Sequence, residues 1–226
     1  MLFKLTDEQV MIRNMVREFS RKVIAATAAE RDRTKEFPQD NFRQMGELGL
    51  MGMMIPPEYG GEGADTVSYV LALSEIAYSC ASTSVVMSVQ NSIVCETLYR
   101  FGTEAQKQAY LIPLASGKII GAFGLTEPEA GSDPVSQQTT AVRKKDHYLL
   151  NGTKRFITSG HHSKVVLVTA KTDEDAKHRG ISCFIVPKGT PGMVVGRMED
   201  KMGLRASDTT DILLENCKVP VSHRVG

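Results

Sequence analysis

The sequence predicts an α+β protein, with an N-terminal all-α domain over residues 1–117 and a β-barrel- or sandwich-like middle domain over 118–226. In the first part, apolar residues recur at the spacing of helices. From Ile119 onward they gather instead in short runs that are bounded by turn residues, which is typical of strands. A chain of 226 residues, 42% of them hydrophobic, is long and apolar enough to build the packed cores of one or two domains.

The first two predicted helices carry recognisable end signals. Thr6 followed by Gln9 forms a capping box, and apolar residues four apart follow it. A second helix is predicted after Pro38, which suits a first helical turn. It is predicted to end at Gly49, because glycine accepts the left-handed backbone that closes many helices.

A loop and three further helices complete the predicted first domain. The segment 56–63, Pro-Pro-Glu-Tyr-Gly-Gly-Glu-Gly, is predicted to be a loop because its prolines and glycines disfavour helix. Thr103 followed by Gln106 repeats the capping-box signal. The further helices are predicted over 66–79, 83–100 and 104–115.

The strands of the second domain are predicted from short apolar runs. A strand over 148–150 is followed by Asn151-Gly152, a dipeptide typical of a two-residue hairpin turn, and by a second strand over 153–158. This pattern predicts a hairpin that turns at Asn151-Gly152. Other strands are predicted over 165–168, 181–186, 194–195 and 212–214.

Composition excludes several classes of function. The 27 basic and 26 acidic residues give a formal charge of +1, so the balance does not indicate a nucleic-acid partner. No apolar run approaches the ~20 residues of a membrane span, and the start of the chain lacks the pattern of a signal peptide. The four cysteines are far apart, and neither they nor His161-His162 have metal-site spacing. We therefore predict a soluble intracellular protein with reduced cysteines and no metal.

The stretch 121–133, Gly-Ala-Phe-Gly-Leu-Thr-Glu-Pro-Glu-Ala-Gly-Ser-Asp, has the residue types of a ligand-binding segment. It opens as a strand and ends in small, hydroxyl and glycine residues. Such a segment lets backbone N–H groups approach the phosphates or ring oxygens of a ligand. Taken alone, it is also compatible with an ordinary turn after a strand.

Residues 125–133, Leu-Thr-Glu-Pro-Glu-Ala-Gly-Ser-Asp, resemble a motif of the acyl-CoA dehydrogenase family. Four further stretches resemble motifs of that family in the same order and spacing. They are Pro-Glu-Tyr-Gly-Gly at 57–61, Phe-Gly-Thr-Glu-x-Gln-Lys at 101–107, Leu-Asn-Gly-x-Lys-x-Phe-Ile-Thr at 150–158 and Met-Gly-Leu-Arg-x-Ser-Asp-Thr at 202–209. Five motifs in order over some 150 residues make the resemblance specific.

The resemblance implies a helical N-terminal domain, a middle β-domain and a second helical bundle, with FAD as the cofactor. Members of the family oxidise acyl-CoA thioesters to trans-2-enoyl-CoA. A glutamate removes the α-proton while the β-hydrogen leaves as hydride to the flavin, so the cofactor carries the electron chemistry. The resemblance also implies electron-transfer flavoprotein as a partner. It further implies a homo-oligomer (dimer or tetramer), in the cytoplasm of a bacterium or in the mitochondrial matrix of a eukaryote.

Two segments would hold FAD if the family's roles apply to this chain. The resemblance implies that the first lines the flavin ring and the pyrophosphate, and that the second forms another wall of the flavin site. Ser132 would also face the pantetheine of the substrate. The implied residues are Phe123, Leu125, Thr126, Gly131 and Ser132 in the first segment and Phe156, Ile157 and Thr158 in the second.

No residue of this chain matches the family's catalytic glutamate. The chain stops where the family's β-domain is followed by its C-terminal bundle, so we expect a two-domain portion of the enzyme that is inactive by itself. Glu127 belongs to the 125–133 motif and is expected to be structural. The resemblance is strongest to short-chain (butyryl) members, while branched-chain and glutaryl relatives stay open.

Two alternative functions remain open at this point. One is a non-catalytic module that binds flavin or acyl-CoA, or serves assembly, on the same fold. The other is an acyl-CoA oxidase or flavin monooxygenase, which would let oxygen reach the flavin. The rate of reoxidation in air, compared with that in the presence of electron-transfer flavoprotein, would separate this second alternative from a dehydrogenase.

Overall fold

A computed structural model describes residues 4–226 of the chain. Residues 1–3, part of the segment in which no signal peptide is predicted, lie outside the described residues. The chain divides into two units. The helical unit comprises the chain up to Glu96, Leu111–Lys118 and Asp200–Ser207, and the sheet unit comprises Thr97–Tyr110, Ile119–Glu199 and Asp208–Gly226. A domain boundary between residues 117 and 118 stays a prediction.

The helices follow the predicted positions closely, and three of the longer helical stretches contain a π-helical segment. The helices are α1 Asp7–Phe19, α2 Ala25–Thr34, α3 Gln39–Glu47, α4 Thr66–Ser79, α5 Ala81–Ser88, α6 Glu96–Phe101, α7 Glu104–Gln106 and α8 Ile112–Ala115. The π-helical segments are Ser20–Ile24, Val89–Cys95 and Lys107–Leu111. Both predicted capping boxes are confirmed, at Thr6 and at Thr103.

Local contacts define the end of α3 and the start of α4. Gly49 follows α3 with φ +72°, as predicted for a residue that ends a helix, and the N–H of Leu50 donates to the carbonyl of Met45. Asp65 caps α4, because its Oδ1 accepts the N–H groups of Val67 (2.7 Å) and Ser68 (3.0 Å).

Within the helical unit, the buried Asn91 holds the chain after α3. Its Oδ1 accepts the N–H of Met53 (2.7 Å), and its Nδ2 donates to the carbonyls of Leu50 (2.9 Å) and Met87 (3.0 Å). The predicted loop at 56–63 is confirmed apart from one 3₁₀ turn at Pro57–Tyr59. A side chain at Gly61 would lie 2.1 Å from the carbonyl oxygen of Ile55, so only glycine fits there.

The sheet unit contains one mixed sheet of eight strands. They are β1 Gly121–Gly124, β2 Thr140–Arg143, β3 His147–Thr158, β4 Val165–Lys171, β5 Ile181–Pro187, β6 Met193–Met198, β7 Thr209–Pro220 and β8 Arg224–Val225. The order is β6-β7-β3-β2-β4-β5-β8, and β1 pairs with β4 in parallel. Within the described residues the sheet does not close into a barrel, since β6 and β8 form its two ends. The predicted α+β class is confirmed.

The predicted hairpin turn at Asn151-Gly152 is wrong. β3 continues through both residues, with a bulge opposite β7 between Leu150 and Gly152. The side chain of Asn151 accepts the N–H of Asn216, so pairing with β7 uses the residue that was expected to turn. Pairing on both sides of β3 outweighs the local turn preference. The hairpin lies earlier, between β2 and β3, where the N–H of Lys144 donates to His147.

Membrane spans, metal ligands and disulfides were also not expected from the sequence. No helix within residues 4–226 is long and apolar enough to cross a membrane. In the same residues, no group of three or more histidine, cysteine or acidic side chains could hold a metal ion. The four cysteines are free thiols, and burial raises the pKa of Cys217 to about 11 and that of Cys183 to about 12.

Candidate functional site

The structure brings together the two segments in which site residues are predicted. The backbone N–H of Arg155 on β3 donates to the carbonyl of Thr126, just after β1, at 2.7 Å. Next to this bond, Gly124 faces the aliphatic side chain of Lys154, whose Cγ lies 3.3 Å from the position that a Cβ of Gly124 would take. The end of β1 and the last part of β3 therefore lie side by side.

The first segment runs from a half-buried strand to an exposed turn. Phe123 is half-buried on β1, and Leu125 and Thr126 are half-buried directly after it. The backbones of Glu127 and Ala130 then pair with each other and reverse the chain. The predicted site residues Gly131 and Ser132 follow. Both are exposed, and no hydrogen bond joins them to β3 among residues 4–226.

The second segment contains the most unusual residue of the site, Phe156. It is 55% exposed, although its neighbour Ile157 is only 2% exposed and belongs to the core of the sheet. Its φ is +58°, a left-handed conformation that is uncommon for a bulky residue. Thr158 is half-buried beyond it. The pairing of β3 with β7 is irregular between Lys154 and Ile157, and this bulge turns Phe156 out of the sheet.

Phe156 contacts two charged residues that sequence reasoning did not single out. The guanidinium carbon of Arg155 lies 5.0 Å from the centre of the ring. Asp211 on β7 accepts the N–H of Phe156 at 3.4 Å and lies 4.0 Å from Nε of Arg155. Strained backbone that is held in place in this way is typical of functional sites.

A buried lysine lies beneath the junction of the two segments. The side chain of Lys154 has no exposed surface. Its Nζ donates to Glu127 Oε1 (2.6 Å), Gln137 Oε1 (2.9 Å) and the carbonyl of Leu125 (3.1 Å), with Thr169 Oγ1 further away at 3.3 Å. Sequence reasoning placed Lys154 in a motif but did not assign it a partner.

Glu127 completes a buried ion pair and has no free oxygen for acid–base work. Besides Lys154, its carboxylate accepts the N–H groups of Gln138 and Thr139. Burial alone would raise the pKa of Glu127, but these bonds outweigh it and hold that pKa below its ordinary value. Burial lowers the pKa of Lys154, and the carboxylate of Glu127 counteracts part of this. The geometry is that of a charged pair, which agrees with the expected structural role of Glu127.

Buried polar atoms without a partner lie beside the second segment. Ser159, next to Thr158, is fully buried with φ +62°, and its Oγ has no hydrogen-bond partner among residues 4–226. The carboxylate of Asp208 is only half paired. Its Oδ2 accepts the backbone N–H of His162, but its buried Oδ1 has no hydrogen-bond partner within the described part of the chain. Buried polar atoms are nearly always paired, so these two point to a polar ligand or water nearby.

The residues present fit a planar cofactor that carries phosphates. An exposed aromatic ring offers a flat apolar wall, and the half-buried residues Thr126 and Thr158 place one hydroxyl group in each of the two segments. A Cβ at Gly131 would meet no atom within 4 Å, so the backbone of this turn is open to an approaching ligand. This donor set matches what the resemblance implied for FAD.

Comparison with known families covers almost the whole chain. Residues 6–118 match the family model described as acyl-CoA dehydrogenase, N-terminal domain, and residues 122–217 match the one described as acyl-CoA dehydrogenase, middle domain. The chain belongs to the acyl-CoA dehydrogenase family.

Several curated relatives carry short-chain names, while two Bacillus subtilis relatives, at 48% and 47% identity, are named acyl-CoA dehydrogenases without a chain length. The chain is 46% identical over 224 residues to the short-chain specific acyl-CoA dehydrogenase of Clostridium acetobutylicum, a match that covers 99% of this chain and 59% of the relative. It is 41% identical to the mitochondrial short-chain specific acyl-CoA dehydrogenase of Mus musculus, covering 99% of this chain and 54% of the relative. The chain thus spans little more than half the length of these relatives.

Solved structures agree with the family. One, described under the electron transferring flavoprotein of Acidaminococcus fermentans, has a TM-score of 0.97 at 46% identity, and butyryl-CoA dehydrogenase of Megasphaera elsdenii has 0.95 at 39%. Each match covers 100% of this chain and 60% of the other. A glutaryl-CoA dehydrogenase of Mycobacterium smegmatis in complex with FADH2 has a TM-score of 0.92 at 36% identity, covering 97% of this chain and 55% of that one.

Proposed function

We propose that this chain supplies FAD-binding and thioester-facing walls of an FAD-dependent acyl-CoA dehydrogenase that acts on short, straight acyl chains. The observation that carries the proposal is the hydrogen bond from Arg155 to Thr126. This bond joins the two family motifs beside the exposed ring of Phe156. The relative in complex with FADH2 supports the choice of cofactor, and the names of the short-chain and butyryl relatives support the substrate class.

Each predicted site residue has a distinct role in this proposal. The ring of Phe156 covers one face of the flavin, and the hydroxyls of Thr126 and Thr158 donate to its polar edge. Phe123, Leu125 and the backbone of Ile157 complete the wall, since the Ile157 side chain is buried. The turn at Gly131 and Ser132 approaches the pyrophosphate, and Ser132 also contacts the pantetheine of the substrate.

The hydride-accepting chemistry is supplied by FAD when it is bound. This chain's part is to orient the cofactor and the thioester. We infer that the base which removes the α-proton is not among the carboxylates of residues 4–226. The buried carboxylate of the first site segment, Glu127, is held by Lys154 and by backbone N–H groups, so it is not free to take up a proton. The 226-residue chain is therefore expected to bind FAD without turning over butyryl-CoA.

The assembly and location of the protein are proposed from its relatives. Electron-transfer flavoprotein is the proposed electron acceptor, which the description of the Acidaminococcus fermentans structure supports. We propose a homo-oligomer, dimer or tetramer. Relatives from a bacterium and from mitochondria support a cytoplasmic or a mitochondrial location, depending on the source of the chain.

Titration with FAD tests the proposed function. We expect the wild-type chain to bind FAD and to shift its visible absorption bands. Phe156→Ala is expected to weaken binding about tenfold or more, because base- and ring-stacking on an aromatic side chain contributes ~1–3 kcal/mol. Equilibrium dialysis and the visible spectrum measure both effects.

The matched control is Val194→Ala, at a residue of β6 that is also exposed, at 53%. It removes an apolar surface side chain of the same sheet without touching the two motif segments, so FAD binding should stay at the wild-type level. A wild-type chain that folds but leaves the FAD spectrum unchanged would contradict the proposed FAD binding. Bleaching of the bound flavin by butyryl-CoA would contradict the inference that the base is not among the carboxylates of residues 4–226.

Gly131→Ala is expected to separate binding from stability. Because a Cβ there meets nothing within 4 Å, the melting temperature should stay near that of wild type, while the methyl group should hinder the close approach of the cofactor and weaken FAD binding. Gly203→Ala, at a glycine with equally open surroundings, is the control and should alter neither property. Wild-type FAD affinity of Gly131→Ala would exclude a close approach at this turn.

A further inference from the structure

We infer that Lys154 and Glu127 are positioning residues, which fix the backbone on both sides of Thr126 so that this residue faces the cofactor. The inference rests on the proposed function and extends it to two buried residues that cannot touch the ligand. Lys154 has no exposed surface, and the side chain of Glu127 is only 4% exposed. Any effect of these residues on the site must therefore pass through the residues that they hold.

All three protons of the Lys154 ammonium group are donated to residues in or next to the segment around Thr126. It has three protons, and its three shortest hydrogen bonds go to Leu125, Glu127 and Gln137. Two of these partners are the immediate neighbours of Thr126 in the chain. Lys154 thus binds the backbone carbonyl of Leu125, which precedes Thr126, and the side-chain carboxylate of Glu127, which follows Thr126.

Glu127 extends this hold to the start of the next strand. Its carboxylate accepts the N–H groups of Gln138 and Thr139, which lead into β2. Its own N–H donates to the carbonyl of Ala130 at 2.8 Å, and so begins the turn that leads to Gly131. One ion pair therefore connects the end of β1, the approach to β2 and the middle of β3.

Thr126 is left with little backbone freedom. Its own carbonyl accepts the N–H of Arg155, and both of its neighbours are held by Lys154. No other described residue holds both neighbours of Thr126 in this way. Because Arg155 directly precedes Phe156, the same arrangement sets the position of Thr126 relative to the exposed ring.

The pair is electrically neutral, which permits a test that separates positioning from folding. Removal of one partner leaves a buried charge, whereas removal of both does not. In the double variant Lys154→Met/Glu127→Gln, the glutamine Oε1 can still accept a backbone N–H, but the carbonyl of Leu125 has lost its donor. We expect this variant to fold and its Thr126 segment to loosen.

Hydrogen exchange of the FAD-free chain is the first measurement. In the double variant, the amides of Glu127 and Ala130 are expected to exchange about tenfold faster than in wild type, while the amides of β4 and β5 keep their protection. Lys164→Met, the same substitution at an exposed lysine of the sheet unit, should leave the exchange rates of both groups of amides unchanged. Equal exchange rates of the Glu127 and Ala130 amides in the wild type and the double variant would overturn the inference. A uniform loss of exchange protection over the whole sheet would also overturn it.

The spectrum of added FAD is the second measurement, and a purely structural role would not change it. We expect the double variant to stay folded at the temperature of the titration but to bind FAD about tenfold more weakly, with an altered visible spectrum. A wild-type spectrum and affinity would overturn the inference. If the wild-type chain itself binds no FAD, the proposed function fails, and hydrogen exchange still decides whether the pair fixes the segment.

Exchange in the wild-type chain alone covers the case in which the double variant does not fold. The inference requires that the amides of Glu127 and Ala130 exchange as slowly as those of the neighbouring β3, because both are hydrogen-bonded in a segment that the ion pair holds. Fast exchange at these two amides in the folded wild-type chain would overturn it.

Discussion

Replacement of Lys154 by methionine is expected to lower the free energy of unfolding of the sheet unit by about 3–5 kcal/mol. Methionine has a similar length, so packing is largely preserved, but the carboxylate of Glu127 is then left as a buried charge without its cation. The carbonyl of Leu125 also loses its donor. Urea denaturation followed by circular dichroism measures the loss as a shift of the transition to lower urea concentration.

The double variant Lys154→Met/Glu127→Gln should recover at least half of this loss, because it leaves no unpaired charge in the sheet. The control Lys164→Met, at an exposed lysine, should unfold within about 0.5 kcal/mol of wild type. A loss below about 1 kcal/mol for Lys154→Met would mean that the pair contributes little, and a double variant less stable than the single one would contradict the charge argument.

Asn91→Leu is expected to destabilise the helical unit by about 2–6 kcal/mol. Leucine has nearly the same shape but makes none of the three hydrogen bonds of the amide. The N–H of Met53 and the carbonyl of Leu50 would be left buried without these partners, in the loop that follows α3. Each unsatisfied buried group costs about 1–3 kcal/mol, which sets the expected range. Thermal and urea unfolding of the variant test this.

Asn14→Leu is the matched control, since Asn14 is an exposed residue of α1. The same substitution at this surface position should change the free energy of unfolding by no more than about 0.5 kcal/mol. If Asn91→Leu were as stable as the control, the loop after α3 would have to find other partners for its backbone, and the role assigned to Asn91 would be incorrect.

Local sequence signals predicted the helices well, because each signal and its effect lie within one turn of helix. The capping boxes at Thr6 and Thr103 satisfy N–H groups only three residues away, so they act in the same way in a short peptide and in the folded chain. The turn signal at Asn151-Gly152 failed for the opposite reason. Its local preference competes with a long ladder to β7, whose residues are some 60 positions further along the chain.

The candidate site was predicted in part. The motifs at 125–133 and 150–158 placed the residues of both walls in the sequence, but their residue types could not show that Thr126 and Arg155 are joined by a hydrogen bond. The ion pair between Glu127 and Lys154 was also missed, because a lysine in a strand normally points to water. The position of this lysine within a family motif, between residues predicted to form a strand, is the signal that could have suggested a buried role.

The sequence by itself determined the α+β class, the helix ends and the membership of a family, since these depend on periodicity, caps and motifs that are read along the chain. Only the tertiary structure decided that β3 continues through Asn151-Gly152, that Phe156 is exposed at a bulge and that Lys154 is buried against Glu127. These three features arise where strands far apart in the chain pair with each other, and the free energy of that pairing and burial exceeds the local preferences of the residues involved.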